Sequence, residues 1–262
     1  MARFGWRPVF IGLGLVGLLW LFPWIKWMPG AQVASLLREK QTAPSFLEIL
    51  NQRSAWGVFA GHFSNCYLWF LLFTWTPFYL VRARHLSMDN MAKIASIAYL
   101  CMVLFAMLSG WLSDRWIAAG ASPTLVRKTF VAAGQTCSGT FLFLCAIAGP
   151  AVSVVFLLLA FACYGLLGSN LFAITQALAG PRASGKWTGL ENFFGAGAGI
   201  LAPSLTGFIV NVTGSFVWPF AITMLITALG SLCWVFVVGS VKQVVWAQPR
   251  GSDLARTAAE AA

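Results

Sequence analysis

Seven stretches of the chain are almost purely apolar: Val9–Trp27, Trp56–Val81, Ile94–Leu112, Thr129–Ala148, Val152–Leu171, Trp187–Val212 and Phe216–Val241. A helix rises about 1.5 Å per residue, so roughly 20 apolar residues cross the hydrocarbon layer of a bilayer. Within that layer only a helix satisfies its own backbone polar groups without closing a barrel. The pattern predicts an all-α integral membrane protein with seven transmembrane helices. Short polar segments separate the runs. The longest, 29–53, carries Pro29, Gly30 and Pro44 ahead of a short amphipathic piece at Phe46–Leu50. The expected divisions are a first span at 1–28, a cytoplasmic connector at 29–53, a six-helix bundle at 54–245, and a tail at 246–262. The tail's small and charged residues predict disorder.

Composition and charge refine this picture. With 59% hydrophobic and 9% charged residues, no stretch can form a soluble catalytic domain, and no enzyme is expected. The net charge of +10 invites a nucleic-acid reading. The cations, however, lie at span ends and in short loops rather than on an aromatic-interleaved patch, so no nucleic-acid partner is expected. Cytoplasmic segments of membrane proteins are enriched in Lys and Arg. Placing the tail inside puts Lys26, Arg38, Lys40, Arg53, Arg115, Arg127, Lys128, Arg182, Lys186, Lys242, Arg250 and Arg256 there, and leaves Arg3, Arg7, Arg82, Arg84 and Lys93 outside. The orientation is then C-terminus inside and N-terminus outside. Arg3 and Arg7 conflict with it, and an additional span upstream of residue 1 removes the conflict. The six cysteines lie inside apolar runs without a Cys-x-x-Cys pair or a His cluster, so neither metal nor cofactor is expected. Trp24, Trp56, Trp116 and Trp187 mark span ends, as interfacial anchoring requires.

Two segments carry more specific information. Gly110-Trp-Leu-Ser-Asp114-Arg115 precedes Arg127-Lys128, with a glycine that permits close helix approach and an Asp able to face a neighbouring helix N-terminus. Later, Asn192, Gly195, Gly199, Pro203 and Gly207 recur at three- and four-residue steps, forming a stripe on which another helix can pack while Pro203 weakens the backbone ladder. With His62-Phe63 and Thr74-Trp75-Thr76-Pro77-Phe78-Tyr79-Leu80, these segments resemble the major facilitator superfamily, and within it the anion:cation symporter family of organic-anion transporters. The resemblance covers the chain as helices six to twelve of a twelve-helix fold, and Gly5-Trp6-Arg7 suits the turn before the sixth. It implies missing N-terminal helices, both termini of the complete protein inside, and residence as a multi-pass protein of the inner (plasma) membrane. It also implies proton-coupled symport of small organic anions, such as sugar acids or aromatic and aliphatic carboxylates, by alternating access. Glu191 stands where such transporters usually carry an apolar residue, and Ala196 where Asn is frequent.

Polar groups inside spans are costly unless used. Asn65, Trp69, Thr76, Asn170 and Asn192 are the expected substrate-path residues, with helix–helix bonding as the alternative for each amide. Glu191 and His62 are the coupling candidates. With Trp187 taken as an interface marker, Glu191 reads as a water-reached carboxylate near a helix N-terminus, and His62 reads as interfacial near the cytoplasmic end of its span. Gly110, Asp114, Arg115, Gly195, Gly199 and Pro203 are the conformational residues. No Lys or Arg lies mid-span to pair with an anion, so that counter-charge is expected from the missing first half. The expected partners are an organic anion, a proton or other cation, and the lipid bilayer. Two other readings compete. A retinal-type receptor needs a lysine deep in its last helix, and Lys242 lies at the end. A truncated, non-transporting membrane protein or scaffold is the remaining alternative, and the 262-residue chain alone is not expected to transport.

Overall fold

The computed structural model describes residues 7–27 and 43–246, which fold as helices and short connections with no strand among the described residues. Residues 29–42 of the expected 29–53 connector and 247–262 of the expected 246–262 tail lie outside the described residues, as do 1–6 and 28. Two units form, and residues 7–27 belong to the first. There the expected single run is two helices, α1 (Arg7–Leu19) and α2 (Leu21–Trp27). Pro23 explains the break at Trp20, because its missing N–H and bulky ring remove the helical bond to the carbonyl of Leu19. The Trp20 N–H closes a tighter turn onto the Gly17 carbonyl at 3.2 Å.

The second unit starts with α3 (Phe46–Leu50), the short piece expected from the sequence. Ser45 and Glu48 close a capping box, in which each side chain accepts the other's backbone N–H. Then come α4 (Arg53–Arg82), α5 (Met88–Ala118) and α6 (Pro123–Ile147). Ser87 and Ser122 cap the latter two by accepting the N–H three residues on. α7 (Pro150–Thr213) holds two of the expected runs as limbs α7a (150–179) and α7b (181–213), broken at Gly180. α8 (Val217–Leu232) continues into a π turn at Cys233–Val237. Helices overshoot several apolar runs because polar residues continue a helix beyond the hydrocarbon. The last run, expected to Val241, instead ends at Val237, and Gly239 turns the chain at φ 70°. Among the described residues, five helical stretches are long and apolar enough to cross a membrane by length and composition, and the polar-striped α4 is not one of them.

α7 packs against α4, α5 and α6 and is the centre of the bundle. Its break is built for glycine. Gly180 has φ 66°, and a Cβ there would meet the Gln243 side chain. The carbonyls freed by the break accept the Val244 N–H (Leu178 O, 2.9 Å) and the Trp246 indole (Ala179 O, 3.0 Å). At the π turn, Lys128 donates to Val235 O at 2.9 Å and Arg53 to Phe236 O at 3.2 Å. At the far end of α4, Arg84 donates to the Cys145 and Ala146 carbonyls and to the Tyr79 hydroxyl. The core forms two apolar clusters, one around Phe59, Trp187 and Trp234 and one around Leu68, Leu72, Phe161 and Phe220.

Gly57 and Gly61 let the end of α8 lie directly on α4, and a Cβ at Gly57 would stand 2.7 Å from the Val238 backbone nitrogen. Overpacking of this kind costs about 1–3 kcal/mol. Gly57→Leu should therefore lower the thermal midpoint of the detergent-solubilised chain, read by tryptophan fluorescence. Gly185→Ala, with nothing within 4 Å, should leave it unchanged.

Candidate functional site

Two ridges face each other between α4 and α7b. His62, Cys66 and Phe70 recur every four residues on α4, and Glu191, Gly195 and Gly199 do so on α7b, so each set forms one row. A Cβ at Gly195 would lie 2.8 Å from the His62 ring and 2.9 Å from the Cys66 sulfur, and one at Gly199 would lie 2.8 Å from Phe70. The expected glycine stripe thus packs on α4, with Gly207 continuing it against Trp75 and Pro203 between them.

At one end of this contact lies a buried ionisable pair. His62 Nδ1 is 3.4 Å from Glu191 Oε1, with His62 3% exposed and Glu191 fully buried. Thr175, on α7a, donates its hydroxyl to the same Glu191 oxygen at 3.1 Å. The Cys66 sulfur lies 3.3 Å from His62 Nε2. Glu191 Oε2 has no hydrogen-bond partner. This differs from the sequence expectation. α7b starts at 181, so Glu191 is nearly three turns inside it. Trp187 is fully buried against Phe59 and Trp246 rather than anchored at an interface. His62 is enclosed by helices, with Phe172 edge-on at 6.1 Å, rather than interfacial. A four-residue step back from Gly195 lands on Glu191. That spacing is the signal in the sequence, whereas Asn192 falls on the neighbouring exposed face, donates to the Thr188 carbonyl and borders the His62 ring.

The second ridge of α4 builds an aromatic group. Trp69 stacks on Tyr164 of α7a at 5.5 Å and on Phe73 at 5.9 Å, and meets Tyr99 of α5 edge-on at 6.5 Å. Tyr99 packs edge-on against Phe161. Asn65, 7% exposed, lies against Tyr164 and leaves its carbonyl oxygen unpaired. Thr76 is buried on the same helix. Tyr99 and Tyr164 had no signal in the sequence, because each sits in a run whose apolar residues surround it on every side. Asn170 is elsewhere: it is buried and donates to Ser109 at 2.9 Å, joining α7a to α5. Gln135 likewise joins α6 to Ser64 and to the Thr227 carbonyl.

The Gly110–Arg115 segment lies within the last turns of α5 rather than in a loop. Asp114 is exposed, Arg115 covers the Trp111 ring at 4.7 Å, and Gly110 faces Ser169. Arg127 caps the Ala173 carbonyl at 3.0 Å. Among the described residues no cluster of three potential metal ligands occurs.

The described helices thus form a bundle with a broken central helix, a glycine seam and a polar-aromatic face. The model of the Major Facilitator Superfamily matches residues 1–203, and the chain belongs to that family. It is 28% identical over 256 residues to the chloroplastic ascorbate transporter of Arabidopsis thaliana, covering 91% of this chain and 47% of the relative. It is 29% identical over 266 residues to a probable galactarate/D-glucarate transporter of Bacillus subtilis, covering 92% and 58%. A crystal structure of the peptide transporter POT with sulfate shares the fold, with a TM-score of 0.60, 16% identity, and coverage of 86% of this chain and 46% of that one. The chain therefore spans about half the length of the relatives it matches.

With the six native cysteines replaced, Cys introduced at position 192 should react rapidly with a membrane-impermeant maleimide in vesicles of exposed orientation. Cys introduced at position 170 should stay unreactive until the protein is denatured. Equal labelling of both would contradict the placement of Asn192 and Asn170.

Proposed function

We propose that this chain is the C-terminal part, helices six to twelve, of a secondary active transporter that moves small organic anions, sugar acids foremost, by proton-coupled symport. The observation that carries the reading is the Trp69–Tyr99–Tyr164 group beside Asn65, where α4, α5 and α7a converge. Aromatic faces cover the C–H surface of a sugar acid, and the free Asn65 oxygen accepts from its hydroxyls. The names of the relatives, ascorbate and galactarate/D-glucarate transporters, agree with this chemistry. The carboxylate's counter-charge comes from the first half of the complete transporter, because Arg53 of α4 and Arg127 and Lys128 of α6 are bound to backbone carbonyls.

Alternating access then uses the α4–α7b seam, where Gly195 and Gly199 leave two helices in direct contact and free to slide. Proton coupling is supported by an acid and a histidine buried side by side on that seam. The membrane is the plasma membrane, with the C-terminus cytoplasmic, as the distribution of Lys and Arg favours.

The test is D-glucarate counterflow into proteoliposomes carrying this chain together with the N-terminal half of the Bacillus subtilis relative. Stacking pairs contribute about 0.5–1.5 kcal/mol each beyond area burial. Trp69→Ala, which loses three aromatic contacts, should therefore slow uptake by roughly tenfold or more. Gly199→Leu should abolish it while leaving insertion intact. Unchanged uptake in both variants would remove the aromatic group and the seam from the mechanism.

A further inference from the structure

We propose that His62, Glu191 and Thr175 form a site for one shared proton whose occupancy locks α4 to both limbs of α7. Its use in transport rests on the symporter reading above, but the site itself does not.

Glu191 is the acidic residue that the described bundle buries completely; the other described acids, Glu48, Asp89 and Asp114, lie near helix ends. Full burial of a lone carboxylate carries a large desolvation penalty, and helix dipoles do not reach it three turns from the start of α7b. What faces it is limited. α4 presents His62 and, beyond it, Cys66; α7a presents the Thr175 hydroxyl and, behind Cys66, Tyr164. This set supplies one basic nitrogen and one hydroxyl donor. Asn192 adds an amide beside the His62 ring, and with the carboxylate and Thr175 as its other side-chain oxygens the site is poor in ligands for a sodium ion.

With one proton present, the pair is neutral overall in either of two forms. The proton sits on Glu191 Oε1 and is offered to His62 Nδ1, or it sits on Nδ1 facing the carboxylate. Transfer breaks the O–H bond as the N–H bond forms, and no net charge moves into or out of the site. A small rotation of either side chain closes the 3.4 Å gap to hydrogen-bonding distance. Release of that proton to water leaves one uncompensated negative charge between α4 and α7b. The charge favours separating the helices and admitting water.

The geometry ties this event to the backbone. Gly195, one turn beyond Glu191, is the seat against which the His62 ring and Cys66 sulfur rest, so any side chain there pushes His62 away from the acid. Thr175 holds the same oxygen from across the Gly180 break, so the proton links the two limbs of α7 as well as α4. Asn192 and Phe172, both exposed, border the His62 ring.

The deciding experiment is pH-difference infrared spectroscopy on the full chain in lipid vesicles, which needs no transport. The wild type should show the C=O stretch of a protonated carboxyl group appearing on acidification. Glu191→Gln should lack that band. His62→Gln should keep it with its midpoint displaced by about one pH unit or more, a tenfold change in proton affinity. Gly195→Ala should displace the midpoint in the same sense while leaving the helical amide bands intact. With imidazole-15N labelling, the His62 signal should titrate together with the carboxyl band. Retention of the band in Glu191→Gln, or an unmoved midpoint in His62→Gln, would overturn the proposal. So would a midpoint that follows sodium when it replaces potassium at constant ionic strength. Loss of glucarate counterflow with the titration intact would count against the transport reading alone.

Discussion

Every carbonyl that a membrane helix fails to bond internally must be bonded by another part of the protein, because lipid offers no donor. The bundle's connections follow from this constraint. The break at Gly180 sends two carbonyls to Val244 and Trp246, the π turn sends two to Lys128 and Arg53, and the end of α6 sends two to Arg84. Arg127 donates to the Ala173 carbonyl inside α7a, and Lys186 to that of Pro44 ahead of α3. Arg53, Arg84 and Lys128 are therefore fasteners at helix ends. A consequence is that the middle of the bundle is left to neutral polar groups and one acid–histidine pair.

The buried polar groups include two kinds. Asn170 with Ser109, and the Gln135 amide nitrogen with Ser64 and the Thr227 carbonyl, bond across helices and hold them at fixed separations. Asn65, Glu191 and His62 keep an unpaired polar atom while buried. Each unpaired buried atom costs about 1–3 kcal/mol of stability. α4 carries both kinds, with Ser64 in the first and Asn65 and His62 in the second.

The apolar runs disclosed the spans, and the short helix at Phe46–Leu50 was readable from its pattern. The breaks were less legible. Pro23 sits inside an unbroken apolar run, and the π turn is written in Cys233–Val237, residues that suit an ordinary helix equally well. Depth was harder still. Trp187 is the residue type that anchors at interfaces, yet here it fills the core, because Pro181 starts the helix two turns earlier and carries Trp187 inward. That displacement moved Glu191 with it. The face of α7b was legible to within one residue: Glu191 rather than Asn192 completes the four-residue row. Membership in the Major Facilitator Superfamily was readable from the glycine, proline and loop residues, because these set how closely backbones approach.

The π turn has a consequence for how length changes act on this protein. The Val238 N–H bonds the Cys233 carbonyl, five residues back, so the turn accommodates one residue more than an α-helix would. One residue corresponds to about 100° of rotation around the axis. Everything after Val237, including the segment that delivers Val244 and Trp246 to the break in α7, is clocked by that extra residue. A single deletion at 233–237 would restore a regular helix and improve its local bonding. It would also swing the following strap away from Leu178 and Ala179, so a local gain in regularity would uncouple two distant parts of the chain.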